Sequence, residues 1–305
     1  MVEVRVYSDS GGIMGAAFAK ATASLAGAKR RRGAPRQTKK MQRREFLAST
    51  LGAALLAQSD RATASEQSAA PPDLYVWRQF VIRNGTQQAR LAEFLKGAAI
   101  PALNRLGHKP IGVFEVMAGL PAPSVFVLTP SASLEKMAAI EASLERDGEF
   151  MRAADPYINA TAADPVYVRQ DLSLLGAFPN VPRVEVPAAT AAGGPRLFEL
   201  RTYESHNERA HRMKMRMFTE MGEVDIFRRV GLTPVFFART LIGPRMPNLT
   251  YMLVHENLAA REKSWSAFSN DPEWKKLRAT PGYADAEIVS NITTVFLRPA
   301  AYSQI

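Results

Sequence analysis

The 305-residue sequence contains no cysteine. That excludes disulfides, thiolate nucleophiles and cysteine-ligated metals together. Histidine is scarce, at four residues. His206 and His211 are five apart, which on a helix does not put both on one face, and no HExxH or comparable ligand spacing occurs. No glycine-rich phosphate loop lies between a strand and a helix, and no G-x-S-x-G elbow is present. The sequence thus points to no metal site, no phosphate loop and no thiol or serine nucleophile.

The excess of positive charge, +10 overall, is unevenly placed. Twelve of the 39 Lys and Arg and four of the 29 Asp and Glu fall in residues 1–64, leaving 27 basic against 25 acidic residues and a net +2 beyond them. The remainder shows no global attraction to nucleic acid. Within the basic leader, MQRREFLAST (41–50) runs into the apolar stretch LASTLGAALLA (47–57) and then Ala62-Thr63-Ala64. A charged segment, a short apolar segment and a small-x-small site make a secretory signal peptide over 41–64. The apolar run is shorter than the roughly 20 residues a membrane span needs. Arg43-Arg44-x-Phe-Leu resembles a twin-arginine signal, a receptor-read address rather than an anchor. The expectation is export to the periplasm or beyond, with no stable membrane insertion after signal removal. Met41 is then the expected start, and residues 1–40, including Lys29-Arg30-Arg31-Arg32, read as an unstructured extra segment.

Beyond the leader the chain reads as two related halves, 74–177 and 196–300. Leu74 aligns with Leu197, Arg78 with Arg201 and Phe80 with Tyr203. RLGHKP (105–110) then aligns with RVGLTP (229–234), and GEFMR (148–152) with PEWKK (272–276). Residues 178–195, with four prolines, two glycines and no periodicity, read as a linker. The first half gives strand 74–82, helix 86–106, strands 110–118 and 124–129, helix 132–153 and strand 165–175. The second gives strand 197–203, a helix over 206–230, strands 233–242 and 249–255, a helix capped by Asn257 and running to Arg278, and a strand over 287–298. Each is a ferredoxin-like βαββαβ unit, whose sheet carries helices on one face only. The predicted fold is α+β: two tandem modules covering each other's bare sheet as a barrel.

ELRTY (199–203) and HENLAAREKSWSAFSNDPEWKKL (255–277) resemble the NIPSNAP family, whose members carry a similar Glu-Leu-Arg-x-Tyr strand and a helix with Arg-Glu before an aromatic, then Asp-Pro-x-Trp. Arg261, Glu262, Trp265, Asp271, Pro272 and Trp274 fit; His255 stands where an aromatic is expected ahead of Glu256. The match is weaker over 74–175. The resemblance implies a dimeric α+β barrel and little chemistry. Relatives by fold include small heme- or quinone-handling oxygenases and dehydratases, and fold alone does not carry function.

Strand alternation supplies candidate site residues. Phe198, Leu200 and Thr202 share one face, and Glu199, Arg201 and Tyr203 the other. The apolar face is expected to meet the helices, and the charged face to point between the sheets, with Val76, Arg78 and Phe80 as first-half equivalents. Two readings stay open. One is an internal ion pair of Glu199 with Arg201 or Arg78. The other is a pocket where Arg78 and Arg201 hold an acidic group and Glu199 or Tyr203 transfers a proton. His255 ends a strand and either serves the interior as base or heme ligand, or caps the sheet. His108, after Gly107, is expected to be exposed. Met213, Met217 and Met221 read as core, and Trp265 and Trp274 as anchors of the last helix.

The ligand-binding candidates are Arg78, Glu199, Arg201, Tyr203 and His255, with no catalytic residue or cofactor named. The expected function is binding of a small or hydrophobic ligand, or a protein partner, through the barrel. A heme-dependent or cofactor-free monooxygenase and a non-catalytic scaffold are the alternatives, and homo-oligomerisation is left open.

Overall fold

The computed structural model describes residues 70–83, 85–118 and 123–305. The signal-peptide and start-site expectations lie outside these residues. No helix among them is long and apolar enough to cross a membrane.

In the first module, β1 (Leu74–Val81) leads into α1 (Gly85–Phe94), a π-helical turn (Leu95–Ala99) and α2 (Ile100–Arg105). Strands β2 (Gly112–Ala118) and β3 (Ser124–Ser131) follow, then α3 (Leu134–Ala138), α4 (Ile140–Arg146), α5 (Gly148–Ile158) and β4 (Arg169–Ala177). After α6 (Ala188–Ala192) the second module repeats the order. It consists of β5 (Leu197–Glu204), α7 (Glu208–Thr219), α8 (Glu223–Arg229), β6 (Thr233–Ile242), β7 (Asn248–His255), α9 (Leu258–Asn270), α10 (Pro272–Arg278), α11 (Asp285–Ile288) and β8 (Asn291–Pro299). Local chemistry sets the boundaries. Asn257 caps α9 by accepting from the Ala260 amide at 2.9 Å, as expected. The helix expected over 206–230 breaks at Gly222, whose φ of 84° suits glycine, and so becomes α7 and α8. The last strand starts at Asn291 because Asp285–Ile288 is helical.

Eight antiparallel strands close into a barrel in the order β1-β3-β2-β8-β5-β7-β6-β4. Each module contributes a four-stranded sheet in the ferredoxin-like order. The seams β2–β8 and β4–β6 join the modules and use both edges of each sheet, so no strand of the barrel offers a free edge. Residues 178–185 are a packed strap rather than a loose linker. Phe178 and Val181 are fully buried, and the Phe178 and Glu185 amides donate to Phe237 and Val235 carbonyls.

The barrel interior is filled by rings from both modules. Trp77 stacks on Phe126 at 4.9 Å and approaches Phe236 at 5.9 Å, while Phe114 meets Phe198 at 4.9 Å. An eight-stranded barrel leaves an interior just wide enough for such side chains. The helices cover the outer faces. In the second module Met217, Phe218, Phe227, Phe268 and Trp274 pack on Phe237, Tyr251 and Leu253. Met213 and Met221 pack against the same cluster, as their spacing predicts.

Candidate functional site

The expected orientation of the charged face is reversed. Phe198 and Leu200 point into the barrel core; Glu199, Arg201 and Tyr203 point outward, beneath the helices. Tyr75 and Trp77 likewise fill the barrel, while Phe80 packs under the first-module helices. The physical reason is the supply of partners. The barrel interior holds aromatic and aliphatic groups with few donors. On the outer face, Arg261 and Trp265 of α9, four residues apart and so on one side of the helix, reach down to the sheet.

Glu199 is fully buried and is the centre of this arrangement. Oε1 accepts from Arg201 Nη1 at 3.1 Å and Arg261 Nη2 at 2.7 Å. Oε2 accepts from Arg261 Nε at 2.9 Å, Trp265 Nε1 at 2.9 Å and His255 Nε2 at 3.1 Å. Burial would raise the carboxyl pKa; the bonds from His255, Arg261 and Trp265 and the charge of Arg201 outweigh it and hold the group down to about 2. Arg201 continues the network, with Nη2 donating to the Tyr203 hydroxyl at 3.1 Å and its guanidinium 4.6 Å from the Trp265 ring centre. Tyr251 in turn donates to Tyr203 at 3.1 Å.

A second buried cluster adjoins it. Lys214 Nζ lies 5.2 Å from the centre of the Tyr203 ring, 3.4 Å from Glu223 and 3.1 Å from Asp285. Burial pushes the Glu223 carboxyl up to about 7, against the opposing pull of Lys214. Neither residue was singled out by sequence reading. The available signal was that Lys214 sits four residues after Ala210 and three before Met217, on the buried face of α7.

The sequence candidates therefore divide. Glu199, Arg201, Tyr203 and His255 form one network in the second module, the ion-pair reading with Arg201 as partner. Arg78 is not part of it. It lies in the first module, half-buried, with its guanidinium 5.8 Å from the centre of the Phe80 ring. No carboxylate among the described residues pairs with it. Arg78 lines a cavity of about 100 Å³ between the sheet and the helices, together with Val76, Phe80, Leu95, Ala99 and Phe150. His108 is buried rather than exposed, because its Nδ1 bonds the Pro130 carbonyl at 2.9 Å.

The second module, with its Glu-x-Arg-x-Tyr strand beneath an Arg-and-Trp helix, is the part with a recognisable pattern. Residues 198–304 match the NIPSNAP family model. The NIPSNAP match covers the second module and none of the first. No curated protein matches the chain. A solved structure of a proposed monooxygenase from Lactobacillus acidophilus NCFM is similar at 8% identity and a TM-score of 0.50, over 75% of this chain and 94% of that one. A similar structure from Fusobacterium nucleatum, also named as a proposed monooxygenase, has 6% identity and a TM-score of 0.48, over 76% of this chain and 93% of that one. A NIPSNAP-like domain protein from Burkholderia xenovorans has 18% identity and a TM-score of 0.32, over 36% of this chain and 90% of that one. At such identities the first likeness shows a shared α+β barrel fold.

No group of three or more His, Cys, Asp or Glu suited to a metal occurs among the described residues. A heme macrocycle does not fit the residues present. Rings fill the barrel interior, and the His255 Nε2 is bonded to Glu199. The barrel's own cavity, about 80 Å³, lies at one mouth among Thr202, Thr240, Thr250 and Thr293.

Proposed function

We propose that this chain is a small-ligand-binding protein whose site is the cavity beneath the helices of the first module. One contrast carries the reading. In the second module the space between β5 and the helices is filled by Tyr203, Tyr251, Trp265 and the Glu199 network. At the corresponding position of the first module there is a cavity with one unpaired guanidinium at its wall. The second module then serves as the structural half that completes the barrel. This moves the site from the barrel interior to the sheet–helix layer. The Arg43-Arg44 leader supports delivery of the folded protein outside the cytoplasm.

The test uses a neutral probe, 1-butanol, and methyl NMR. In the wild type it should shift Leu95, Val127 and Leu144, which line the cavity. Ala99→Leu adds three carbons that fill the cavity from the π-helical turn and should abolish these shifts, with a urea midpoint no lower than that of the wild type. Shifts confined to the barrel methyls of Val235 and Leu297 would overturn the reading in favour of a barrel site.

A further inference from the structure

We infer that the ligand of the first-module cavity is an apolar monocarboxylate, its carboxylate pairing with Arg78 as the Glu199 carboxylate pairs with Arg201. This rests on the cavity being the ligand site and narrows it to one chemical class.

The two modules correspond position by position. Strands β1 and β5 are both eight residues long and begin at Leu74 and Leu197, so Arg78 and Arg201 are each the fifth residue. Each stands opposite the third strand of its module, Arg78 facing Val127 and Arg201 facing Tyr251. Two residues earlier in the strand, the second module has Glu199 and the first has Val76. The register that matches Val127 with Tyr251 matches Ser131 with His255. The next helices start at the caps Ser133 and Asn257. Four residues on stand Met137 and Arg261, and eight on stand Glu141 and Trp265. The first module thus lacks the buried carboxylate and counterparts of His255, Arg261 and Trp265, yet keeps the arginine.

An arginine stays charged at any physiological pH, and a half-buried charge against apolar walls is costly without a counter-ion. The guanidinium fork matches a carboxylate in a bidentate pair. Other cavity walls are Phe80, Phe94, Leu103, Ile140 and Thr129, and no second basic side chain lines it. One cation among apolar groups suits a monoanion with an apolar body better than a phosphate dianion. A cavity of about 100 Å³ is smaller than the roughly 150 Å³ that takes the six carbons of benzene, so it suits a ligand of about four to six non-hydrogen atoms. Two features suit entry. Leu95 and Ala99 come from the π-helical turn, an element frequent at functional sites. Helix α4, which brings Ile140 and Leu144 to the cavity, buries no residue fully, so it is lightly held.

The experiment titrates the full chain with butanoate, 1-butanol and ethyl phosphate, following the Leu95, Val127 and Leu144 methyls. Butanoate should bind at least tenfold tighter than butanol. Arg78→Gln should bring butanoate to the level of butanol and leave butanol unchanged. Arg78→Lys keeps the charge without the fork and should retain part of the preference, which keeps the test readable should Arg78→Gln unfold. Butanoate binding no tighter than butanol overturns the carboxylate class and leaves the cavity site standing. Ethyl phosphate binding tighter than butanoate also overturns the class. Undiminished butanoate binding to Arg78→Gln overturns Arg78 as the anchor. No shift with any probe overturns the cavity site itself.

Discussion

Trp265 Nε1 donates to Glu199 Oε2 over 2.9 Å although the two residues are 66 positions apart. This bond, with those of Arg261, ties α9 to the centre of the second sheet. Glu199→Ala leaves Arg201, Arg261 and His255 without their shared acceptor. The cost of breaking a buried ion pair from one side is about 3–5 kcal/mol, read as a lower urea midpoint. Trp265→Phe keeps the ring over Arg201 and removes one donor to a charged acceptor, costing about 2 kcal/mol. Equal stability of Glu199→Ala and wild type would mean that the network does not hold α9 down.

Glu199 and Glu223 are both buried, yet they lie far apart in pH: the donors around Glu199 outweigh its burial, whereas burial of Glu223 outweighs the pull of Lys214. Glu199 is held at about 2, below its ordinary 4.5, so its stabilisation is complete above pH 4.5 and is lost as pH falls towards 2. A depression of that size corresponds to about 3 kcal/mol. Glu223 is raised to about 7, so the folded state holds a proton that the unfolded state releases near 4.5. Its contribution is complete below pH 4.5 and declines as pH rises to about 7. Side-chain carboxyl 13C titration should show one glutamate still ionised at pH 3 and another with a midpoint near neutrality. Two ordinary midpoints near 4.5 would contradict both environments.

Much of this fold was legible in the sequence, because turn residues and alternation mark strands whatever lies behind them. The βαββαβ order and the fixed spacing of Arg78 and Arg201 came from that signal. Which face of β5 turns inward was not legible. In a closed barrel with helices outside, both faces of a strand are buried, so alternation shows that the faces differ and not where each points. The charged face went to the layer where Arg261 and Trp265 supply donors, and those donors are some 60 residues away in sequence. Lys214 was hidden because it sits inside an apolar stripe and finds Glu223 only through the bend at Gly222. Residues 178–185 lacked periodicity because a strap held by a few backbone bonds and two buried side chains needs none.

The barrel interior gives a stability prediction independent of any ligand. Trp77 touches rings from both modules, through Phe126 on one side and Phe236 on the other. Trp77→Ala should cost about 3–5 kcal/mol, the range for removing a buried large aromatic, in a single cooperative urea transition. Two separated transitions would mean that the modules unfold independently and that the shared core does not couple them.

Val76→Glu writes into β1 the Glu-x-Arg spacing that Glu199 and Arg201 have in β5. The new carboxylate would share a face with Arg78 two residues away, as Glu199 does with Arg201 at 3.1 Å. It should neutralise the guanidinium from within the chain and weaken butanoate binding at least tenfold. The stabilisation expected of Glu199 should not follow, since one arginine would serve where Glu199 accepts bonds from Arg201, Arg261, Trp265 and His255. A loss of about 1 kcal/mol is expected instead. Val76→Gln separates charge from bulk, because it fills the same space without a negative charge. Binding that falls equally in both variants would assign the effect to lost volume. Binding that falls only with Val76→Glu would show that the ligand carboxylate and the introduced one compete for the same arginine.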